Sequence, residues 1–129
     1  MNGYLLDTSA ALMALTEPEK LSTAVRAAVN GGPNYLSVLS YWEVLIKTMK
    51  GNLDLGDPRT WWHDALKDLA ATPLSLRPDH VAEVYGLPPI HNDPFDRMLM
   101  AQAIAEDLDL VTTGGHIPRY ATPRLRVVS

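Results

Sequence analysis

Short apolar runs parted by helical patterns constrain this chain more than any other feature. Gly3 to Leu6, Tyr35 to Val38, Pro73 to Leu76, Leu108 to Val111 and Leu125 to Val128 each have the length and content of a strand. Between them, apolar residues recur at helical spacing: Ala10, Leu12, Met13 and Leu15; Ser22 to Val29; Trp42, Leu45, Ile46 and Met49; and Arg59 to Ala71 with Trp61, Trp62, Leu66 and Leu69. Pro78 to Tyr85 forms a further short helix, and Ile117 to Tyr120 a single turn. Strands separated by helices predict an α/β fold with a central, mainly parallel sheet of four to five strands covered on both faces. With 129 residues and 47% hydrophobic content, the chain has the size of one domain, residues 1–129, able to bury a core without staples.

The strongest helix signal is the stretch from His91 to Asp107. Asp93 is a favoured N-cap, Pro94 suits the first helical position, and Phe95, Leu99, Met100, Ala103 and Ile104 recur at core-facing spacing. Asp96 falls in the first turn, where a carboxylate either complements the helix dipole or serves chemistry. Asp7 closes the first strand, which makes it either an N-cap or a ligand at the carboxyl end of an α/β sheet. Ser40 is the expected cap of the third helix, in which Glu43 lies off the apolar stripe, on the side of Lys47 and Lys50. There it either pairs with Lys47 in solvent or joins the other acids. The adjacent Trp61 and Trp62 cannot both face one core stripe, so one is expected to be partly exposed.

Several chemistries are excluded. There is no cysteine, hence no disulfide, thiol catalysis or Cys-containing zinc site. Phosphate-loop, dinucleotide, zinc-protease and α/β-hydrolase signatures are missing. His63, His80, His91 and His116 are scattered, and at least three of them are expected on the surface or in loops, His91 being the least settled. A net charge of −4 argues against a broad duplex-binding surface, though acids that hold a cation reverse the local sign. The apolar runs are too short to span a membrane and the N-terminus lacks a signal-peptide layout, which predicts a cytoplasmic protein. What remains is acidic: Asp7, Glu43 and Asp96. An all-oxygen set suits Mg²⁺ or Mn²⁺, and these ions suit phosphoryl chemistry.

The phrases Tyr4-Leu5-Leu6-Asp7-Thr8-Ser9-Ala10, Trp42-Glu43-Val44-Leu45-Ile46-Lys47, His91-Asn92-Asp93-Pro94-Phe95-Asp96-Arg97 and Leu110-Val111-Thr112 resemble those of PIN-domain ribonucleases, and more narrowly of the VapC-type toxins of toxin–antitoxin pairs. The resemblance runs over essentially the whole chain in the right order. It implies a PIN-like α/β/α sandwich and a four-carboxylate pocket, of which Asp7, Glu43 and Asp96 supply three members. The fourth position, usually the acid of a Thr-x-Asp phrase, falls here on Gly114 after Thr112 and Thr113, with Asp93 a possible substitute. The resemblance further implies Mg²⁺ (or Mn²⁺) held by Asp7, Glu43 and Asp96, one ion well held and a second at most weakly. RNA cleavage in the family leaves a 5′-phosphate and a 3′-hydroxyl. Thr8, Ser9 and Thr112 are expected to orient water or a carboxylate, and Arg97 and Lys47 to contact RNA phosphates. Arg77, Arg119, Arg124 and Arg126 are weaker candidates along the substrate path. Single-stranded or looped RNA is the expected substrate. Implied partners are a second copy and a small antitoxin docked on apolar surface, either around Trp61 and Trp62 or near Leu12 and Leu15. A PIN-like module weakened in catalysis by Gly114 is the alternative.

Overall fold

The computed structural model describes residues 2–89, 93–115 and 117–129. Its five strands, β1 (Tyr4–Leu6), β2 (Asn34–Ser37), β3 (Ala71–Leu74), β4 (Asp109–Val111) and β5 (Val127–Val128), form one sheet in the order β3-β2-β1-β4-β5. Every pairing is parallel. Six helices alternate with them: α1 (Thr8–Thr16), α2 (Thr23–Gly31), α3 (Val38–Met49), α4 (Pro58–Asp68), α5 (Pro78–Glu83) and α6 (Pro94–Glu106). The expected α/β/α sandwich is therefore what the chain forms. All five strands differ in extent from the sequence reading: β1 and β4 each begin one residue later, β2 lies one residue earlier than Tyr35 to Val38, β3 begins and ends two residues earlier than Pro73 to Leu76, and β5 keeps only the last two residues of its apolar run. Pro73 sits inside β3 because that strand is an edge, where a missing N–H leaves no ladder bond unmade on the solvent side.

Strand alternation sends neighbouring residues to opposite faces, and the register aligns them across the sheet. Leu5 and Leu110 are paired and face one core, with Leu99, Met100 and Ala103 of α6, Leu39, Ile117 and Tyr120. Leu6, Leu36 and Val111 face the other, with Ala10 and Ala11 of α1, Val25 and Ala28 of α2, and Trp62 and Ala65 of α4. Trp62 is buried and stacked on Tyr41 at 4.9 Å, while Trp61 is half-buried, which is how the two adjacent tryptophans divide. Gly3 has φ +119°, and a Cβ there would lie 2.6 Å from the Pro33 carbonyl oxygen, the acceptor of the Tyr4 amide. Only glycine lets β1 enter the sheet at that point.

Chain order fixes where a ligand can sit. From β1 the chain builds outward through β2 to β3, then returns to the other side of β1 for β4 and β5. The connections after β1 and β4 thus leave in opposite directions, and open α/β sheets bind ligands in the crevice this creates at the carboxyl ends of the strands. Asp7 follows β1 and Thr112 follows β4, so the two residues that end those strands stand at that crevice.

Two sequence expectations are corrected. In α3 the cap is Ser37, whose side chain accepts the Leu39 amide, and Ser40 lies buried inside the helix. The face of α3 that packs inward is Leu39, Ser40, Glu43 and Val44, whereas Trp42 and Met49 of the expected apolar stripe are 56% and 78% exposed. A polar Ser and Glu on the inner face hide it from a reading based on hydrophobic periodicity. The second correction is His80, which is fully buried in α5 rather than at the surface. Its Nδ1 accepts the Arg77 amide at 3.1 Å, so Nε2 carries the proton and donates to Glu106 at 3.2 Å. His63 is exposed on α4, and His91 and His116 lie outside the described residues.

Candidate active site

The site grows out of two helix starts and one helix interior. Asp7 caps α1: its Oδ1 accepts the Ala10 amide and the Ser9 hydroxyl, each at 2.8 Å, and Oδ2 accepts the Thr112 hydroxyl. The capping and ligand readings of Asp7 are thus not exclusive, because the cap itself places the carboxylate at the sheet crevice. Asp93 caps α6, its Oδ1 accepting the amides of Phe95 at 2.9 Å and Asp96 at 3.2 Å. This arrangement puts Asp96 in the first turn, as expected. Glu43 is carried in from α3. Asp7, Glu43, Asp93 and Asp96 line one cavity of about 250 Å³, together with Thr8, Ser9, Lys47, Gly114 and the apolar Leu12 and Ile117.

Burial governs the electrostatics. Asp7 is 3% exposed, and its pKa is raised to about 6, chiefly by desolvation. The hydrogen bonds from Thr112, Ala10 and Ser9 oppose that rise, and the nearby Asp96 charge adds to it. Glu43 is 8% exposed. Its Oε2 pairs with Lys47 Nζ at 3.0 Å, so the expected i,i+4 pair forms, but at the wall of the pocket rather than in open solvent. Among the described residues, Glu43 Oε1 is buried with no hydrogen-bond partner. An unpartnered carboxylate oxygen is costly where water is excluded, and a hard cation is the partner that answers both this oxygen and the crowded charge of Asp7 and Asp96. The residues present therefore fit a divalent ion.

The hydroxyls divide their work. Thr112 and Ser9 both donate to Asp7, and Ser9 Oγ also takes the Thr113 amide at 3.4 Å. Thr8 instead donates to Ser40 Oγ at 2.9 Å, a buried bond that ties α1 to α3 and so fixes the spacing between Asp7 and Glu43. Gly114, whose amide donates to Thr112 Oγ1 at 2.9 Å, stands on the pocket wall where a fourth acid is expected. Arg97 turns its guanidinium to the carbonyl oxygens of Pro88 at 2.8 Å and Leu87 at 3.4 Å, holding that turn against α6. Among the weaker cationic candidates, Arg77 is bound to Asp79 and Glu106, Arg124 to Glu83, and Arg126 to Asp107 and Asp109. Arg119 is exposed in the turn before β5.

Two other features compete for attention. Among the described residues, the trio whose ligand atoms come within 4.8 Å of one another is Asp79, His80 and Glu106. Arg77 already neutralises both of its carboxylates, so it is an ion-paired brace between α5 and α6. A larger cavity, about 560 Å³, is bordered by Leu15, Pro18, Leu21, Val29 and Leu69, with single charges at Glu19, Arg26 and Asp68. It is larger than the acidic cavity but gathers no set of carboxylates, so its size does not make it the reaction site. Sequence reading places Trp42 and Ile46 in an apolar stripe and Lys50 beside Glu43 without assigning a site role to any of them or to Asn52, although Ile46, Lys50 and Asn52 border a cavity next to Glu43; the one available signal was a tryptophan next to the acid.

Known proteins bear on this geometry. Ribonuclease VapC22 of Mycobacterium tuberculosis (strain ATCC 25618 / H37Rv) is 27% identical over 126 residues, 96% of each chain. The structure of VapBC2 from Rickettsia felis, bound to a DNA fragment from its promoter, superposes with a TM-score of 0.67 at 15% identity, covering 96% of both chains. FitAcB from Neisseria gonorrhoeae does so with a TM-score of 0.65 at 18% identity, covering 98% of this chain and 96% of that one. These structures share the fold. The PIN domain model matches residues 4–123, from the first residue of β1 to beyond Gly114, and this chain belongs to the PIN domain family.

Proposed function

We propose that this chain is a metal-dependent endoribonuclease and the toxin of a VapC-type toxin–antitoxin pair. The observation that carries the reading is the convergence of Asp7, Glu43, Asp93 and Asp96 on one pocket at the switch point of the sheet. The relative named a ribonuclease over nearly its full length supports it. Asp7, Glu43 and Asp96 would hold Mg²⁺ or Mn²⁺. Bound there, the ion supplies charge neutralisation at a phosphodiester and acidifies water. The protein's part is to keep those three carboxylates in place. Thr112 and Ser9 fix both oxygens of Asp7, the Thr8–Ser40 bond holds α3 against α1, and the Asp93 cap sets the first turn of α6. Lys47, 45% exposed at the pocket edge, is the cation best placed to meet an RNA phosphate. Thr112 carries its role through Asp7, and Arg97 holds the 87–88 turn against α6.

The rest of the reading follows the family. The groove bordered by Leu15, Leu21 and Val29 suits an apolar antitoxin segment better than the Trp61–Trp62 surface, because Trp62 is already buried. A homodimer and a cytoplasmic site of action complete the proposal; among the described residues no helix is long and apolar enough to cross a membrane. A second reading, a PIN module weakened in catalysis, is favoured by Gly114 alone. One experiment separates them. Purified protein, freed of antitoxin, is incubated with total cellular RNA in Mg²⁺, Mn²⁺ or EDTA, beside Asp7→Asn. Defined fragments that require both the metal and Asp7 are the expected result. A folded protein that yields none under any condition would leave the binding-module reading.

A further inference from the structure

The exposed stripe of α3 is the strongest feature that the nuclease reading leaves unused. Trp42, Ile46 and Lys50 follow one another at i, i+4 and i+8 and so share one side of the helix. Trp42 is 56% exposed and meets Phe95 of α6 edge to face, with ring centroids 5.3 Å apart. Phe95, with Ile46, Lys50 and Asn52, borders a second cavity of about 230 Å³, which shares Glu43, Lys47 and Asp93 with the acidic pocket, and Trp42 adjoins it through Phe95. The two cavities therefore adjoin along those shared residues, an acidic end beside one that carries Phe95 and Lys50.

We propose that the aromatic end seats one nucleotide of single-stranded RNA next to the scissile phosphate, its base packed on the Trp42–Phe95 pair and its phosphate against Lys47 and Lys50. This rests on the ribonuclease reading of the acidic end. Size and chemistry select this occupant. A cavity of about 230 Å³ is below the roughly 300–1,000 Å³ of sites that enclose whole drug-sized ligands, and it suits a single flat group. Bases of unpaired RNA are recognised by stacking on aromatic side chains beside a cationic track, and the bases of a duplex are not available for it. A second copy of the chain would be the other occupant of an exposed aromatic face. Lysines are depleted from the cores of such interfaces, whereas here Lys47 and Lys50 flank the aromatics and Lys50 makes no ion pair among the described residues.

The test is a binding cycle. Asp7→Asn protein in Mg²⁺, used to stop turnover, is titrated by fluorescence anisotropy with a labelled RNA pentamer and with the same pentamer carrying one abasic site at each position in turn. In that background, Trp42→Ala should weaken binding of the intact pentamer between about five- and a hundredfold, and Trp42→Tyr should restore most of it. An abasic site at one position should weaken the Trp42 protein similarly and cost Trp42→Ala little more. Independent losses that multiply at every position, or no loss with Trp42→Ala, overturn the proposal, as does failure of any pentamer to bind. If sedimentation shows that Trp42→Ala turns a dimer into monomer while RNA affinity is unchanged, the face belongs to a second copy and the proposal also falls. Cleavage by the Asp7 protein is scored separately. Coupling without cleavage rejects the nuclease reading and keeps a base-stacking site, and cleavage without coupling does the reverse.

Discussion

Asp7 is asked to be a helix cap, a buried group and a member of an acidic cluster at once, and its ionisation records the conflict. Its pKa in the folded chain is about 6 against 3.8 ordinarily, because burial outweighs three hydrogen bonds. Between those two values the folded protein binds more protons than the unfolded one, so its stability falls as pH rises through that window. Above about pH 6 the full penalty stands, worth about 3 kcal/mol. Without metal, Asp7→Asn should therefore melt several degrees above the parent protein at pH 7.5, and the gap should close toward pH 4. Asp79 and Glu106, which their Arg77 partner holds below the usual range, are common to both proteins and cancel in the difference. Coincident melts in EDTA at pH 7.5 would contradict this account of the site. Gly114 admits a second residue-scale prediction. Among the described residues a Cβ there would meet only Thr112 Oγ1, at an ordinary 3.5 Å, so Gly114→Asp should fold. Adding a fourth hard oxygen donor should tighten the weak second ion, and calorimetric Mn²⁺ titration should change from one strong site to two. An unchanged isotherm would mean that residue 114 does not face the ions.

At the scale of elements, α6 was legible and α3 was not, for opposite reasons. Asp93, Pro94 and the apolar positions behind them announce the start of α6, and its cap forms as expected. Five consecutive residues, Leu99 to Ala103, are buried, because α6 is covered by the sheet on one side and by α5 and neighbouring turns on others. The expected face at Leu99, Met100 and Ala103 was correct but incomplete; fully buried Gln102 belongs to the His80 network, which periodicity could not reveal. In α3 the apolar stripe pointed the wrong way. Its inner face had to carry Ser40 for Thr8 and Glu43 for the pocket, and the displaced aromatic residue, Trp42, went outward. Function overrode the hydrophobic pattern there, which is where such failures are expected. The dual position of Asp93 can be resolved by substitution. Asp93→Ala should cost about 1 kcal/mol in urea unfolding through loss of the cap. Asp93→Asn should keep that stability and most of the cleavage activity, if capping is the main role. Loss of activity in Asn as complete as in Ala would make Asp93 the missing fourth ligand.

For the whole molecule, the strand order was beyond a sequence reading while its consequence was not. Helices between short apolar runs imply parallel strands, and an acid at the end of β1 implies a site at the sheet's carboxyl edge. That β4 returns beside β1, however, depends on packing between distant segments. This return brings Thr112 onto Asp7 across 105 residues and makes the crevice. Global charge then decides how RNA can be held. The chain carries a net charge of −4, and three of its arginines, Arg77, Arg124 and Arg126, sit in ion pairs, while Lys47 and Lys50 border the cavities at the acidic site. A single strand held by two or three cations releases few counterions, with a slope of about −0.7 per phosphate in log K against log salt. Raising salt from about 50 to 200 mM at constant Mg²⁺ should thus weaken RNA binding by only about tenfold, against the roughly thousandfold or more seen for proteins that make many phosphate contacts. On the proposed reading, the affinity that remains comes from a metal ion held in the acidic pocket and from stacking. Anisotropy titrations across that salt range check the argument, and a thousandfold loss would mean that the RNA runs over a cationic surface other than these cavities.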